Sequence, residues 1–287
     1  MMLNRLEPRK AIVEVGRRMW LRGLVAANDG NISIRLAGDR ILSTPTGSSK
    51  GFLSEADLVV TDLDGHVLSS GRSRPTSELG MHLEVYRNRS DAGAVVHAHP
   101  KAATSFAAAG IPMDECLLAE AALFLGGVPV APYATPGTPE VAASIAELIR
   151  RTDVVLLANH GALTIGASIE EAYFKMETLE HSAQIALNTS LLGSRAPLGA
   201  AQLDKLDRAR QTYGLTGKVL ACRTDGEPSG GRLSSESLSG KDLSGDDLSG
   251  DDLSGDDLSG DDLSSDDLSG IVEEVVRRVL AMLAPRN

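Results

Sequence analysis

At 287 residues the chain holds one large domain or two small ones, with 42% hydrophobic and 3% aromatic residues. Its net charge of −11 is local, because residues 225–270 carry fourteen acids against Arg232 and Lys241, a charge of −12 that leaves the remainder at +1. A near-neutral body excludes the basic footprint of a nucleic-acid binder, and no run reaches the ~18 apolar residues of a membrane span. The N-terminal MMLNRLEPRK lacks the apolar centre of a secretory leader. Cys116 and Cys222 make no disulfide framework and read as small buried apolar residues of a reduced, cytoplasmic protein.

Residues 1–222 read as one α/β unit. Ile12, Val15, Met19 and Leu24 fall near helical spacing within 8–27, and Pro8 suits a first turn. DGNISIRLAGDRILSTPTG reads as two strands joined at Gly38-Asp39, and DLVVTDLDGHVL as two more hinged on Asp64-Gly65. A helix opens at Thr76-Ser77-Glu78, with Thr76 or Ser77 as N-cap, and runs to about Tyr86. AGAVVHAHP is a buried strand, followed by a helix over 101–109. DVVLLANHGALTIG is a further buried strand and turn, and helices follow over 168–192 and 200–213. Strands buried on both faces and covered by helices predict a three-layer α/β/α sandwich around a mainly antiparallel or mixed sheet.

Beyond Cys222 the character changes. From Leu233 the chain repeats in fives, as LSSES, LSGKD, LSGDD four times and LSSDD. One apolar residue in five builds no core and paired aspartates repel, so 223–270 reads as a disordered acidic linker rather than a short pentapeptide β-helix. In 271–287 the period returns. Val272, Val275, Val276, Val279, Leu280 and Leu283 share one face, with Glu273–Arg277 and Glu274–Arg278 paired on the other. A helix that short is marginal alone, so it calls for a partner groove or its own copies.

His97-Ala98-His99 is the most informative triplet, since residues i and i+2 of a strand point to one side. His160, in ANHG, also ends an apolar run. Three neutral imidazoles with an open fourth position make a catalytic zinc arrangement, although structural histidines would give the same spacing. His66, His82 and His181 fall in a turn and on helix faces, where packing or solvent accounts for them. Glu78 is the acid–base candidate, and equally a helix-start residue complementing the dipole. Gly30-Asn31, Thr46-Gly47-Ser48-Ser49-Lys50 and Thr76-Ser77 supply the amides and hydroxyls of an anion cradle, and no nucleotide motif occurs.

Together the stretches DGNIS, STPTG, RPTSE, VVHAHP, APYATPGT and LANHGAL resemble the class II aldolase/adducin family, in its order, across residues 8–215. The resemblance implies one Zn2+ per subunit on His97, His99 and His160, with Glu78 as acid–base and as a ligand of the resting site. It implies that Asn31, Thr46, Gly47, Thr76 and Ser77 hold a substrate phosphate, and that Tyr133 and Tyr213 assist proton transfer. The substrate class it implies is a phosphorylated deoxy-ketose, fuculose- or rhamnulose-1-phosphate, cleaved in a homotetramer to dihydroxyacetone phosphate and lactaldehyde. The family also holds 4-epimerases, a thioribulose-phosphate dehydratase and non-catalytic scaffolds. Glu78, where the epimerases carry Asp, favours aldol cleavage but leaves the dehydratase open. The tail resembles encapsulation peptides of bacterial microcompartment enzymes, which implies shell proteins as partners of 271–287.

Overall fold

The structure, a computed structural model, describes residues 3–70 and 73–224. The acidic linker and the terminal helix, read above at 223–270 and 271–287, lie outside the described residues apart from Cys222's immediate neighbours, Arg223 and Thr224. Among the described residues no helix is long and apolar enough to cross a membrane.

Eight strands form one sheet: β1 (Asn31–Leu36), β2 (Arg40–Ser43), β3 (Val59–Thr61), β4 (Val67–Ser69), β5 (Ala94–Ala98), β6 (Val130–Ala131), β7 (Val154–Leu157) and β8 (Gly161–Gly166). Their order is β4-β3-β2-β1-β5-β8-β7-β6. Neighbours run antiparallel except β6 and β7, which are parallel. The sheet, expected to be mainly antiparallel or mixed, is thus antiparallel but for one parallel pair.

Helices cover both faces. α1 (Pro8–Leu21), α3 (Lys101–Ala108), α4 (Ala119–Phe124) and α6 (Ile169–Leu191) pack on one core with Ile32, Leu42, Ala94, Val96 and Ala98. α2 (Leu79–Asn88) and α5 (Pro139–Ile145) pack on a second core with Ile41, Val95, Val155 and Leu163. Successive β5 residues thus alternate between the two cores, as the two-residue period of a strand requires. Ile12, Val15 and Met19 of α1 are fully enclosed; each such side chain contributes about 1.5–3 kcal/mol relative to exposure. α7 (Ala200–Thr212) lies against α4 and buries no residue completely.

Two sequence expectations need correction. Cys116 and Cys222 are not separate thiols but a disulfide, with Cα atoms 5.6 Å apart across 106 residues. The return of the chain creates the pairing: Gly127 N–H donates to Leu220 O, and Arg223 N–H to Asp114 O. Arg223 also forms ion pairs with Asp114 and Glu115. The second correction concerns the start of α2, where the N-cap position falls on Glu78 rather than on Thr76 or Ser77. The Glu78 side chain makes no cap hydrogen bond, because its carboxylate is turned toward the histidines.

One buried carboxylate shapes the neighbourhood of His99. Glu180 of α6 accepts from the N–H groups of Ala102 and Ala103, which open α3 two residues after His99-Pro100. An anion placed on the unpaired amides of a helix start satisfies them and complements the dipole.

Candidate metal centre

The site grows from β5 and its two neighbours. His97, in β5, stands opposite Asn31 of β1 and Leu163 of β8. His99 follows β5 directly, and His160 sits in the turn joining β7 to β8, after Asn159 with φ at 55°. That turn lies tight against the end of β5. A Cβ on Gly161 would come within 2.4 Å of Ala98 O and 2.6 Å of His99 Cδ2, so only glycine fits.

The three imidazoles converge. Ring centroids lie 4.7–4.9 Å apart, and the Nε2 atoms of His97 and His99 are separated by 3.0 Å. Zn–N bonds of about 2.0–2.1 Å in a tetrahedron place ligand nitrogens roughly 3.3 Å apart, close to this spacing. His97 Nδ1–H donates to Ala162 O at 2.9 Å, which leaves the Nε2 lone pair facing the cluster. Burial and the neighbouring His97 and His160 push His99 down to about 4, so it is neutral near pH 7, as a ligand must be.

Glu78 completes the group. Its Oε2 lies 3.3 Å from His97 Nε2 and its Oε1 3.1 Å from His160 Nε2. Burial alone would raise this carboxyl, but His97 and His160 outweigh it and hold it well below the usual carboxylate range. Apart from that contact with the His160 ring, buried Oε1 has no hydrogen-bond partner among the described residues. A largely buried, ionised carboxylate facing inward-directed imidazole nitrogens is a donor set that a divalent cation satisfies. The residues present therefore fit the metal that the resemblance implies.

The segments expected to cradle an anion are adjacent. Thr46 N–H donates to Arg74 O, Thr76 N–H donates to Thr44 O, and Pro45 bridges Pro75. Thr46, Gly47 and Ser77 are exposed on this rim and Thr76 is buried beneath it. Asn31 joins the rim to the histidines, since its Nδ2 donates to Glu78 Oε2 at 2.8 Å. Lys50, read from the sequence as part of the cradle, turns inward. Its ammonium donates to Asn28 O and Ser48 O, and burial lowers it to about 8. It ties the loop before β1 to the loop after β2.

Tyr133 and Tyr213 are at the surface. They are 61% and 74% exposed, and among the described residues neither makes a hydrogen bond or ring contact to the histidines. The Tyr133 segment does approach the rim, because Gly137 packs toward Ser77.

Two residues near the centre were not singled out from the sequence. Asp29 brings a carboxylate oxygen to 3.3 Å from His99 Nδ1. His82, assigned to packing or solvent, is fully enclosed and hydrogen-bonded to Asn31 and Ser33. Its signal was its position four residues after Glu78, on the same helical stripe. A second group, Asp62, Asp64 and His66, also brings three ligand-type atoms together, within the exposed β3–β4 turn.

Comparison with known proteins places this geometry. Residues 10–187 match the family described as Class II Aldolase and Adducin N-terminal domain. L-fuculose phosphate aldolase of Methanocaldococcus jannaschii is 36% identical over 179 residues, covering 62% of this chain and 95% of that protein. 5-deoxy-D-ribulose 1-phosphate aldolase of Bacillus thuringiensis is 35% identical over 210 residues, covering 72% and 96%. The crystal structure of a putative aldolase/epimerase/decarboxylase from Klebsiella pneumoniae superposes with a TM-score of 0.66 at 30% identity, covering 69% of this chain and 97% of that one.

Proposed function

The chain belongs to the class II aldolase and adducin family as a metal-dependent lyase, and we propose that it is a zinc aldolase cleaving L-fuculose 1-phosphate or L-rhamnulose 1-phosphate to dihydroxyacetone phosphate and L-lactaldehyde. The observation that carries this reading is the convergence of His97, His99, His160 and Glu78 on one point beside an anion rim. Zinc bound there supplies Lewis acidity to the ketose oxygens and stabilises the charge that C3–C4 cleavage develops.

The protein's own residues do the rest. Asn31, Thr46, Gly47, Thr76 and Ser77 bind the phosphate and so set the distance from the C1 end to the reacting carbons. The C4 hydroxyl loses a proton as the bond breaks, and a proton is delivered to C3. Glu78 is the group beside the reacting carbons that holds or moves one of these. Tyr133 and Tyr213 are exposed and make no contact with the histidines among the described residues, which supports a homotetramer in which they reach a neighbouring copy's site. The pattern of 271–287 supports a role in docking to microcompartment shell proteins through the 223–270 linker.

A second reading draws on the longer match to the Bacillus enzyme. Cleavage of 5-deoxy-D-ribulose 1-phosphate between C3 and C4 gives the same dihydroxyacetone phosphate with acetaldehyde. Turnover of the zinc-loaded protein on all three ketose phosphates, followed through dihydroxyacetone phosphate reduction, tests both readings. The C6 ketoses turning over faster supports the first, the pentulose the second. No product from any of the three overturns the aldolase assignment.

A further inference from the structure

Asn31 and Ser33 are alternate residues of β1, opposite His97 and Val95 of β5, and both face α2. Counting from the N-cap of α2, the residues at i, i+4 and i+8 are Glu78, His82 and Tyr86. One strand edge and one helical stripe therefore meet along their length. The contacts form an unbroken chain: Tyr86 Oη to Ser33 Oγ at 2.8 Å, Ser33 Oγ to His82 Nδ1 at 2.7 Å, His82 Nε2 to Asn31 Oδ1 at 2.5 Å, and Asn31 Nδ2 to Glu78 Oε2 at 2.8 Å. Ser33 and His82 are 0% exposed, Tyr86 2% and Asn31 3%.

Every proton in the chain has one place to go. Asn31 Oδ1 can only accept, so His82 carries its proton on Nε2. Burial first, and then His97, push His82 down to about 3, so the ring is neutral and Nδ1 accepts from Ser33. The single Ser33 hydroxyl proton is then committed, and Ser33 accepts from Tyr86, whose phenol burial keeps protonated. A reversed Asn31 amide would set its oxygen against the Glu78 carboxylate, a repulsive contact. It would also face its NH2 group to His82, which would then have to carry its proton on Nδ1 instead.

We propose that His82 is a positioning residue: backed by Ser33 and Tyr86, it locks the Asn31 amide with Nδ2 aimed at Glu78 and the anion rim. This rests on the reading of Asn31 and Glu78 given under the proposed function. Without the His82 donor the amide keeps its hydrogen bond to Glu78 Oε2 but loses the one that holds its oxygen end. The Nδ2 group is then less firmly held and is presented in the right direction less of the time.

The test is a double-mutant cycle with a spectroscopic arm, on the full-length zinc-loaded protein. His82→Leu removes the donor, His82→Gln restores an N–H near the Nε2 position, and Asn31→Ala removes the group acted upon. In the wild type, His82→Leu should weaken binding of inorganic phosphate and lower kcat/KM by about 10–100-fold, the range of other supporting-residue losses. Metal content should stay unchanged. His82→Gln should recover most of the loss, and in the Asn31→Ala background His82→Leu should cost less than about twofold. Ring 15N shifts should place the His82 proton on Nε2 in unmutated protein, whether or not it turns over. Equal losses in both backgrounds, or a proton on Nδ1, would overturn the proposal. If His82→Leu fails to fold, the His82→Gln variant and the 15N assignment decide alone. A protein that cleaves no ketose phosphate but shows the Nε2 proton and a coupled cycle in phosphate binding sinks the aldolase reading and leaves this one standing.

Discussion

Among the described residues, two places bring three ligand-type side chains within reach of one another, and they are built in opposite ways. His97, His99 and His160 come from a strand end and a distant hairpin turn, and are buried or half-buried around Glu78. Asp62, Asp64 and His66 come from a single five-residue turn, with Asp62 half-buried and the other two exposed. In that turn the ligand atoms are already occupied. Asp62 accepts from the backbone of Asp64 and His66 and from the His66 ring, so it shapes its own loop. The Asp62 hydrogen bonds and charge raise His66 above its ordinary value. Glu78 Oε1, by contrast, is buried, and among the described residues it has no hydrogen-bond partner besides its contact with the His160 ring. Proximity of ligand atoms is common; an unsatisfied buried carboxylate beside them is what separates a centre from a turn.

The comparison breaks most sharply if the histidines prove dispensable. His97→Ala or His160→Ala should abolish metal retention and lower turnover by about 10³-fold or more, since Lewis-acid stabilisation supplies several kcal/mol. Metal analysis of dialysed protein alongside the dihydroxyacetone phosphate assay reads both effects. Glu78→Gln keeps the shape and removes the charge. It should lower kcat by about 10²–10⁴-fold, the usual weight of a positioned acid–base group, with the fold retained by circular dichroism.

A smaller effect sharpens the contrast through pH. His82 titrates near 3 in the folded chain and about 6.5 in the unfolded one. Because the folded value is depressed, the unfolded state binds a proton that the folded state refuses between those values. Stability must therefore fall as pH drops below about 6.5, by up to about 1.4 kcal/mol per pH unit from this residue. His99, near 4, acts in the same sense in metal-free protein. Urea unfolding of metal-free protein at pH 7, 6 and 5 should show the decline, and His82→Gln should flatten it. An equal slope in both proteins would contradict the assignment. The smallest effect belongs to the exposed turn. Asp62→Asn with Asp64→Asn should change turnover less than about twofold and leave metal content untouched, as surface substitutions generally do.

Much of this contrast was legible before any coordinates. The i, i+2 spacing of His97 and His99 on an apolar strand, and the glycine turn after His160, carry the centre. Pro8 and the periodic apolar residues carry α1. The three-layer sandwich follows from doubly buried strands between helices. Three features were not legible, each for a physical reason. The two-residue β6 is too short to show a period, and it is defined only by its partner β7. The Cys116–Cys222 bond depends on the return of residues 218–223 to a segment a hundred residues earlier, which spacing does not encode. His82 looked like packing because its partners, Asn31 and Ser33, lie on a strand some fifty residues away. The pattern Asn-x-Ser facing Glu-x-x-x-His-x-x-x-Tyr emerges only once β1 and α2 are known to touch.

The most direct test of the centre is metal stoichiometry. After purification with zinc and exhaustive dialysis, the wild-type protein should retain one zinc per chain. The Asp62→Asn/Asp64→Asn variant should retain one as well, and His160→Ala none. Zinc held by His160→Ala, or lost from the turn variant, would contradict the account and place the metal elsewhere.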